Sequence, residues 1–303
     1  MTPLTILLGT YQGAAHLQAQ LDSFTAQTHR DWRLVIGDDG SRDATRDIAA
    51  AFRDREGRPP RIVPGPGRGF AANFLGLLCD PAEAPGHVAL SDQDDVWFPD
   101  KLERAMALLA QADPAIPALA CGRTLLTDAA LRPLGPSRRH RHFAFGNALV
   151  QNVVAGNTIV MNPAAHRLLR AAGPQAVPYH DWWCYLLVTG AGGRILYDPV
   201  PCMQYRQHGG NVQGENLSAG AVMRRARDFG GRKWRGWFEA NIAALEANRH
   251  LLTGQNRARL DAFLRHDRRN AAGRARALLA LAPWRQRPAE TAALYGGTLL
   301  GLS

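Results

Sequence analysis

Four short apolar runs alternate with helical patterns over the first 130 residues, and this alternation constrains the fold more than any other feature. The runs predict β-strands at residues 5–8, 33–36, 61–63 and 87–90. Apolar residues three and four apart predict helices at 17–24, 43–52, 70–78 and 99–109. Strands that alternate with helices build a mostly parallel sheet covered on both faces. We therefore predict an α/β fold with a Rossmann-like sheet flanked by helices.

The alternation loosens after residue 131. Residues 133–142 are basic and rich in turn-forming residues, which predicts a flexible arm. Later patterns predict strands near 158–161 and 194–197 and helices at 164–171 and 181–188. From residue 221 onward the sequence is helical in pattern. The chain is therefore divided into residues 1–220, which hold the candidate site, and a C-terminal helical extension, 221–303.

The formal net charge of +10 is concentrated in this extension. Residues 1–220 carry 20 Lys+Arg and 20 Asp+Glu, whereas residues 221–303 carry 16 and 6. Basic helices with interleaved aromatic and leucine residues bind anionic membrane surfaces. The same pattern fits a helical bundle packed on the rest of the protein, so both interpretations stay open. No nucleic-acid-binding motif accompanies the charge, and no nucleic-acid partner is expected.

The cysteines and the N-terminal segment bear on the compartment. Four cysteines lie far apart and form no CxxC pair, which fits a reducing environment. The first apolar run lacks the basic flank and cleavage site of a signal peptide, and it is too short to cross a bilayer. We expect a cytoplasmic protein, located on the inner face of the cytoplasmic membrane if the extension binds lipid.

Acidic clusters follow the second and fourth predicted strands. Ligands of parallel sheets bind at the carboxyl ends of the strands. The DQDD segment at 92–95 places three carboxylates within four residues. Such a turn suits Mg²⁺ or Mn²⁺, which prefers carboxylate oxygens and shares them with substrate phosphates, although a solvated acidic turn is the alternative. The DDGS segment at 38–41 fits either ordinary turn chemistry or hydrogen bonding to a pyrimidine and a ribose.

Five short motifs occur in register along the chain: GTY at 9–11, DDGSRD at 38–43, SDQDDVW at 91–97, HDWW at 180–183 and YRQHGGN at 205–211. In this combination and order, over residues 4–214, the chain resembles bacterial family-two glycosyltransferases with the A-type fold. It is most similar to the rhamnosyltransferase-like branch that builds cell-surface polysaccharide. The resemblance implies an inverting, metal-dependent transfer of a sugar from a nucleoside diphosphate to an acceptor hydroxyl.

The resemblance also implies where the donor binds, and it assigns nucleotide-sugar binding and catalysis to residues 1–220. Thr10, Tyr11 and Asp39 hold the base and the ribose. Arg68 adds a contact to the base or to a phosphate, and Asn73 supports it. The branch implies L-rhamnose from dTDP-rhamnose as the sugar, with a hexose from a UDP-sugar as the second candidate.

A divalent metal ion, Mn²⁺ or Mg²⁺, is implied under the diphosphate of the donor. Asp92 lies near the ribose, and Asp94 ligates the metal. His208 is the second metal ligand, on a glycine-rich loop that closes over the donor, and Arg206 balances phosphate charge. Without the resemblance, a lone histidine is more often structural than a metal ligand.

Asp181 is the catalytic base that the resemblance implies. The reaction needs one carboxylate to take the proton of the acceptor, which is a saccharide or a lipid-linked saccharide. Trp182 and Trp183 follow Asp181 directly, and their bulk is expected to desolvate it, to raise its pKa and to stack on the acceptor sugar. From the residues alone, a helix N-cap is the more frequent role for such an aspartate.

Two other functions fit parts of the pattern. A sugar-nucleotide pyrophosphorylase uses a similar sheet and metal but opens with a basic glycine-rich loop, whereas residues 9–15 contain no cation. A carbohydrate- or membrane-binding protein with a decayed site is the other alternative. The joint presence of Asp39, Asp94, Asp181 and His208 favours an active enzyme over this last alternative.

Overall fold

In a computed structural model of the chain, residues 3–207, 232–266 and 270–301 are described. Within these ranges nine strands form one sheet. In chain order the strands are β1 (Leu4–Thr10), β2 (Trp32–Asp38), β3 (Arg61–Pro64), β4 (His87–Ser91), β5 (Val96–Trp97), β6 (Ala118–Thr127), β7 (Pro133–Pro136), β8 (Val160–Met161) and β9 (Arg194–Arg206). The helices are α1 (Leu17–Thr25), α2 (Thr45–Ala51), α3 (Phe70–Leu78), α4 (Lys101–Leu109), α5 (Phe145–Ala148), α6 (Pro163–Ala172), α7 (His180–Gly190), α8 (Arg232–Ala247), α9 (Gly254–Arg265), α10 (Ala271–Leu281) and α11 (Pro288–Leu299).

The first half of the sheet has the parallel arrangement that the sequence predicts. The strands lie in the order β3-β2-β1-β4-β8-β6-β9-β5, and β7 pairs with β6. The first four strands in this order run parallel to one another. Their carboxyl ends therefore meet at one edge of the sheet, which the segments 10–13, 38–41 and 91–95 follow. The predicted α/β fold with flanking helices is confirmed.

The second half of the sheet is mixed. Strand β8 runs antiparallel to β4 and β6, whereas β9 runs parallel to β6 and antiparallel to β5. The sequence patterns did not predict strand β6. The flexible arm predicted over 133–142 is wrong for Pro133–Pro136, which pairs with β6 as β7. Because β7 is an edge strand, the missing N–H of proline is tolerated there.

Alternate residues of the central strands contribute to two apolar clusters, one on each face of the sheet. On β1, Leu7 belongs to one cluster, and Ile6 and Leu8 belong to the other, as the two-residue period of a strand requires. Helices α1, α2 and α4 pack on the face of Ile6 and Leu8. Helices α3, α6 and α7 pack on the Leu7 face.

The C-terminal helices also pack on the Leu7 face. Trp234, Leu245, Leu260, Leu281 and Leu294 are buried in the same cluster as the apolar side chains of α7. The apolar faces of α8–α11 therefore pack as a bundle on the rest of the molecule, while contact of the extension with a membrane stays a prediction. Among the described residues, no helix combines the length and the apolar character needed to cross a bilayer.

Candidate active site

A reciprocal pair of hydrogen bonds joins the ends of β1 and β4. Tyr11 N–H donates to Gln93 Oε1, and Gln93 Nε2 donates to Tyr11 O, both at 2.9 Å. The Gln93 side chain lies against Gly13, where a Cβ atom would be 2.0 Å from Gln93 Oε1. A side chain at this position would therefore displace the Gln93 amide from its two bonds to Tyr11. The Tyr11 side chain is exposed at the sheet edge and is available to a ligand.

Thr10 and Asp38 form a buried pair beneath this edge. Thr10 Oγ1 donates to Asp38 Oδ1 at 3.1 Å, while Ser41 N–H and Arg46 Nε donate to Asp38 Oδ2 at 3.0 and 2.6 Å. Burial opposes ionisation of Asp38, but these hydrogen bonds outweigh it and hold its pKa below the ordinary value. The buried Thr10 side chain is thus engaged by the protein, which corrects the predicted direct contact with the nucleotide to a role in ordering the turn at 38–41.

Asp39 organises the loop between β3 and α3. Its Oδ1 accepts from Gly67 N–H and its Oδ2 accepts from Gly69 N–H, both at 2.7 Å. Gly67 and Gly69 have φ angles of 65° and 90°, which glycine adopts without strain. Arg68, between them, is exposed. Because an ionised carboxylate offers about four lone pairs, Asp39 keeps the capacity to accept from a bound ligand as well.

Asn73 belongs to the scaffold of this loop. It is buried on α3, and its Nδ2 donates to Gly37 O at 2.7 Å. A Cβ atom at Gly37 or Gly65 would be 2.5 or 2.9 Å from Asn73 Oδ1. Asn73 therefore fastens α3 to β2 and sits against the start of the loop. This role fits the prediction that Asn73 supports Arg68, and its part in donor binding stays a prediction.

The turn after β4 carries Asp92 and Asp94, which are both partly exposed. Burial, followed by the charges of Asp94 and Asp181, raises the pKa of Asp92 to about 7. Asp181 therefore lies within electrostatic reach of this turn although it is remote in sequence. Arg206, buried at the end of β9, donates from Nε to Asp94 O at 3.0 Å and from Nη1 to Ala129 O at 2.6 Å. These bonds give Arg206 a role in shaping the turn, and its contact with phosphate stays a prediction.

A buried polar cluster lies beneath the acidic turn. Asp95 is fully buried, and its Oδ2 accepts from Asn157 Nδ2 at 2.6 Å. Lys101, the first residue of α4, is also buried. Its Nζ donates to Asn157 O at 2.6 Å and lies 3.3 Å from the centroid of the Trp97 ring. Burial lowers the pKa of Lys101 to about 7 and raises the pKa of Asp95 well above its ordinary value.

Asp181 lies in the first turn of α7 and is held by hydrogen bonds. Its Oδ1 accepts from Trp182 N–H at 2.7 Å, its Oδ2 accepts from Gly156 N–H at 3.0 Å, and the Asn152 side chain adds a further bond. Burial raises the pKa of Asp181 to about 6, against the opposing effect of these bonds. A carboxyl group with this pKa is ionised at neutral pH and is a stronger base than an ordinary aspartate.

Trp182 and Trp183 are 4% and 0% exposed. Trp182 Nε1 donates to Ala148 O at 2.6 Å, and Trp183 belongs to the larger apolar cluster. The prediction that these rings stack on an acceptor sugar is wrong, because both side chains are enclosed by the core. The other part of that prediction concerned Asp181, and burial does raise the pKa of its carboxyl group.

The acidic turn has the oxygen ligands that a divalent metal prefers. Mg²⁺ and Mn²⁺ bind few protein carboxylates when substrate phosphates and water complete the shell, which fits Asp92 and Asp94. In residues 3–207, 232–266 and 270–301, no group of three or more His, Cys, Asp or Glu side chains is arranged to hold a metal. His208, the second predicted ligand, lies outside the described residues. The carboxylates therefore fit a cation that takes most of its ligands from a bound diphosphate.

Sequence reasoning missed the residues that join these parts. Gln93, Asn157 and Lys101 had no predicted role. Lys101 carried a signal, because it is one of only two lysines among 36 basic residues, and lysine is the basic side chain that tolerates burial with a lowered pKa. Asn157 carried no comparable signal, since its partners are distant in sequence.

Comparison with known proteins gives the chain its family. Residues 5–170 match the family described as Glycosyl transferase family 2. The chain is 26% identical over 241 residues to dTDP-rhamnosyl transferase RfbG of Shigella flexneri, with 72% of this chain and 77% of that protein covered. It is 35% identical over 117 residues to the uncharacterized glycosyltransferase alr2836 of Nostoc sp., with 36% of this chain and 34% of that protein covered.

Two solved structures have a similar fold. TarS 1-349 of S. aureus in complex with UDP-GlcNAc has a TM-score of 0.55 at 13% identity, over 92% of this chain and 89% of that chain. The mannosyltransferase PcManGT from Pyrobaculum calidifontis, in complex with GDP-Man and Mn²⁺, has a TM-score of 0.51 at 19% identity, over 99% and 86%. Likeness at these identities shows the fold alone.

The fold and the acidic carboxyl edge define a glycosyltransferase with the A-type fold. The chain belongs to glycosyl transferase family 2, because the family match covers more than half of its 303 residues. The predicted enzyme class is confirmed, and the pyrophosphorylase alternative is set aside.

Proposed function

We propose that this glycosyltransferase is inverting and metal-dependent and that it acts in cell-surface polysaccharide synthesis. The donor is a nucleoside-diphosphate sugar, with dTDP-L-rhamnose as the first candidate and a UDP-hexose as the second. The acceptor is a saccharide or a lipid-linked saccharide. The similarity to dTDP-rhamnosyl transferase RfbG supports the first donor, and the acidic turn supports a metal-bound diphosphate.

One observation carries the proposal, namely the approach of Asp181 to the acidic turn. Asp181 comes from α7 and Asp92 follows β4, yet the charge of Asp181 raises the pKa of Asp92. In this proposal the base and the metal-binding turn therefore lie within electrostatic reach of each other. A single displacement at an anomeric carbon needs both a proton acceptor and a stabilised leaving group.

The roles of the side chains follow from their environments. Ionised Asp181 takes the proton from the acceptor hydroxyl while that oxygen attacks the anomeric carbon and the diphosphate leaves from the opposite face. Asp94 and His208 would hold the metal ion, which stabilises the negative charge of the departing diphosphate when it is bound. Gly156 N–H and Trp182 N–H fix the orientation of the Asp181 carboxylate.

Groups at the sheet edge supply the remaining donor contacts in this proposal. The Tyr11 ring and the Arg68 guanidinium are exposed, and the buried Asp39 carboxylate, which accepts from the residues on either side of Arg68, has further lone pairs. These three groups contact the base, the ribose or a phosphate. Thr10 and Asn73 act through the turns that they order.

Measuring nucleotide release tests the proposed donor. Purified protein is incubated with Mn²⁺ and a panel of dTDP-rhamnose, UDP-hexoses and GDP-mannose, with and without membrane lipid extract as the acceptor source. We expect extract-stimulated release of dTDP from dTDP-rhamnose and weak release without metal. Equal release with EDTA would contradict metal dependence, and stereochemical retention in the product would contradict inversion.

We also propose that the basic extension contacts an anionic membrane surface. Leu279 and Leu300 are exposed near the end of the chain, and Arg276 is exposed on the same helix as Leu279. Exposed leucines inserted among arginines bind anionic bilayers by apolar burial and charge attraction.

The protein should co-sediment with phosphatidylglycerol vesicles and be released by about 0.5 M salt, where the Debye length is well under 10 Å. Equal recovery with neutral phosphatidylcholine vesicles would contradict the charge attraction.

A further inference from the structure

A bridging turn at Gly156–Thr158 touches both halves of the site. It is a 3-10 turn in which Thr158 Oγ1 donates to Ala155 O at 2.7 Å. The residue after it, Ile159, accepts at its carbonyl oxygen from Leu90 N–H at 3.0 Å. Leu90 belongs to β4, which leads into the acidic turn. The bridging turn is therefore fixed to the strand that carries the metal-binding residues.

Asn157 makes the contact on the side of the acidic turn. Its Nδ2 donates to Asp95 Oδ2 at 2.6 Å, and its carbonyl oxygen accepts from Lys101 Nζ at 2.6 Å. Asp95, Asn157 and Lys101 are each at least nine-tenths buried. A hydrogen bond closed off from water is stronger than one at the surface, and a broken one is costly. Asp95 is the immediate neighbour of Asp94, so this bond limits how far the acidic turn can move.

Gly156 makes the contact on the side of the base. Its N–H donates to Asp181 Oδ2 at 3.0 Å. A Cβ atom at Gly156 would be 2.8 Å from His180 Nε2 and 3.2 Å from Asp181 Cβ, so α7 lies directly against the backbone of the turn. Adjacent residues of one rigid turn therefore hold the acidic turn and Asp181.

We propose that Asn157 is a positioning residue that sets the separation between the metal-binding turn and the base Asp181. The inference rests on the proposed function, and it adds a residue that touches neither donor nor acceptor. Loss of the Asn157 side chain frees Asp95 and the acidic turn while Gly156 keeps its hold on Asp181. The donor then remains bound, but its anomeric carbon is displaced relative to the base. Displacements of about 1 Å cost roughly 100-fold in rate.

The test compares Asn157→Ala with Thr158→Val. Thr158→Val removes a partly buried hydrogen bond from the same turn without touching Asp95 or Asp181, and it serves as the control for local destabilisation. We expect Asn157→Ala to lower kcat about 10- to 100-fold, with the Kd for donor within about threefold of wild type because direct donor contacts are intact. Thr158→Val should change kcat less than about twofold. Equal kcat values for the two variants would overturn the inference, and so would a loss of donor affinity that matches the loss of kcat. If Asn157→Ala fails to fold, Asn157→Ser can be compared with Thr158→Val instead. The serine side chain is too short to reach Asp95.

Exchanging the residues at positions 95 and 157 tests their hydrogen bond without any substrate. Asp95→Asn combined with Asn157→Asp re-forms the bond with donor and acceptor exchanged, whereas Asn157→Asp alone places two carboxylates together. We expect the double variant to unfold at a higher temperature than the two single changes predict additively. Additive unfolding temperatures would overturn the inference by themselves. Absence of donor binding in the wild type would instead contradict the proposed function. Failure of the Asn157 inference is therefore distinguishable from failure of the proposed function.

Discussion

Asp92 and Asp181 are two neighbouring carboxylates with different environments. Asp181 accepts hydrogen bonds from Gly156 and Trp182 and has a pKa of about 6, set by burial. Burial and the charges of Asp94 and Asp181 raise the pKa of Asp92 to about 7. Pairs of titratable groups whose environments differ commonly divide acid–base and binding roles between them. The held and oriented carboxylate, Asp181, is the one suited to proton transfer.

Replacement of Asp181 by asparagine tests its role as the base. Asp181→Asn keeps the size of the side chain, so donor binding should be unchanged. Transfer should fall by about 100- to 10,000-fold, the range expected for loss of a general base. The measurement is kcat with saturating donor, together with the donor Kd, and Asp113→Asn on an exposed loop is the control. Transfer at a near wild-type rate would show that another group takes the proton.

The pH dependence of kcat tests the same group independently. Asp181 is active as a base only when it is ionised, and burial raises its pKa to about 6. The rate should therefore be constant above about pH 7 and should fall about tenfold per pH unit well below pH 6. The residual rate of Asp181→Asn should lack this inflection. An unchanged inflection in that variant would assign it to a different group.

At the scale of secondary-structure elements, the site depends on ties between strand ends. The two hydrogen bonds between Tyr11 and Gln93 hold the end of β1 against the turn after β4. Gln93→Ala removes both and should cost about 1 to 2 kcal/mol in the free energy of unfolding. It should also raise the donor KM, because Tyr11 is no longer held at the nucleotide edge. Gln18→Ala, on the exposed face of α1, is the matched control and should leave the donor KM unchanged.

Periodicity and strand-end chemistry predicted the parallel half of the fold and much less of the rest. The helices and strands up to β4, and helix α4, have strong patterns, and the rule that ligands bind at carboxyl ends led to Asp39, Asp92 and Asp94. Strands β5, β6 and β7 were missed. Strand β5 has only two residues, and β7 contains two prolines and depends on β6 for its order. The tryptophans of α7 were misassigned because sequence alone does not show which residues a helix buries when nearly all of its faces are packed.

At the scale of the whole molecule, the C-terminal helices are part of the same core as the sheet. Leu245 of α8 is fully buried in the larger cluster, whereas Leu279 of α10 is 75% exposed. Leu245→Ala should lower the free energy of unfolding by about 2 to 5 kcal/mol. Leu279→Ala should change it by no more than about 0.5 kcal/mol. Urea unfolding of both variants makes the comparison, and equal midpoints would contradict the packing of α8 on this core.

The location of the site could be predicted from the sequence, but the hydrogen bonds that connect its parts could be found only from the structure. The sequence motifs supplied Asp94 and Asp181, but the link between them runs through Gly156 and Asn157, which no motif included. Buried hydrogen bonds between segments remote in sequence leave no periodic or compositional signal. The buried Lys101 is the exception, because lysine is so rare in this chain.

Donor binding measured with and without metal tests the central claim most directly. That claim is that the acidic turn binds a diphosphate through a divalent cation, beside Asp181. With Mn²⁺ present and the donor at about 100 times its Kd, the wild type should be stabilised by about 2.7 kcal/mol, and EDTA should remove the effect. Asp94→Ala should show no metal-dependent stabilisation, whereas Asp113→Ala should behave as wild type. Unchanged donor affinity of Asp94→Ala at saturating Mn²⁺ would contradict the account.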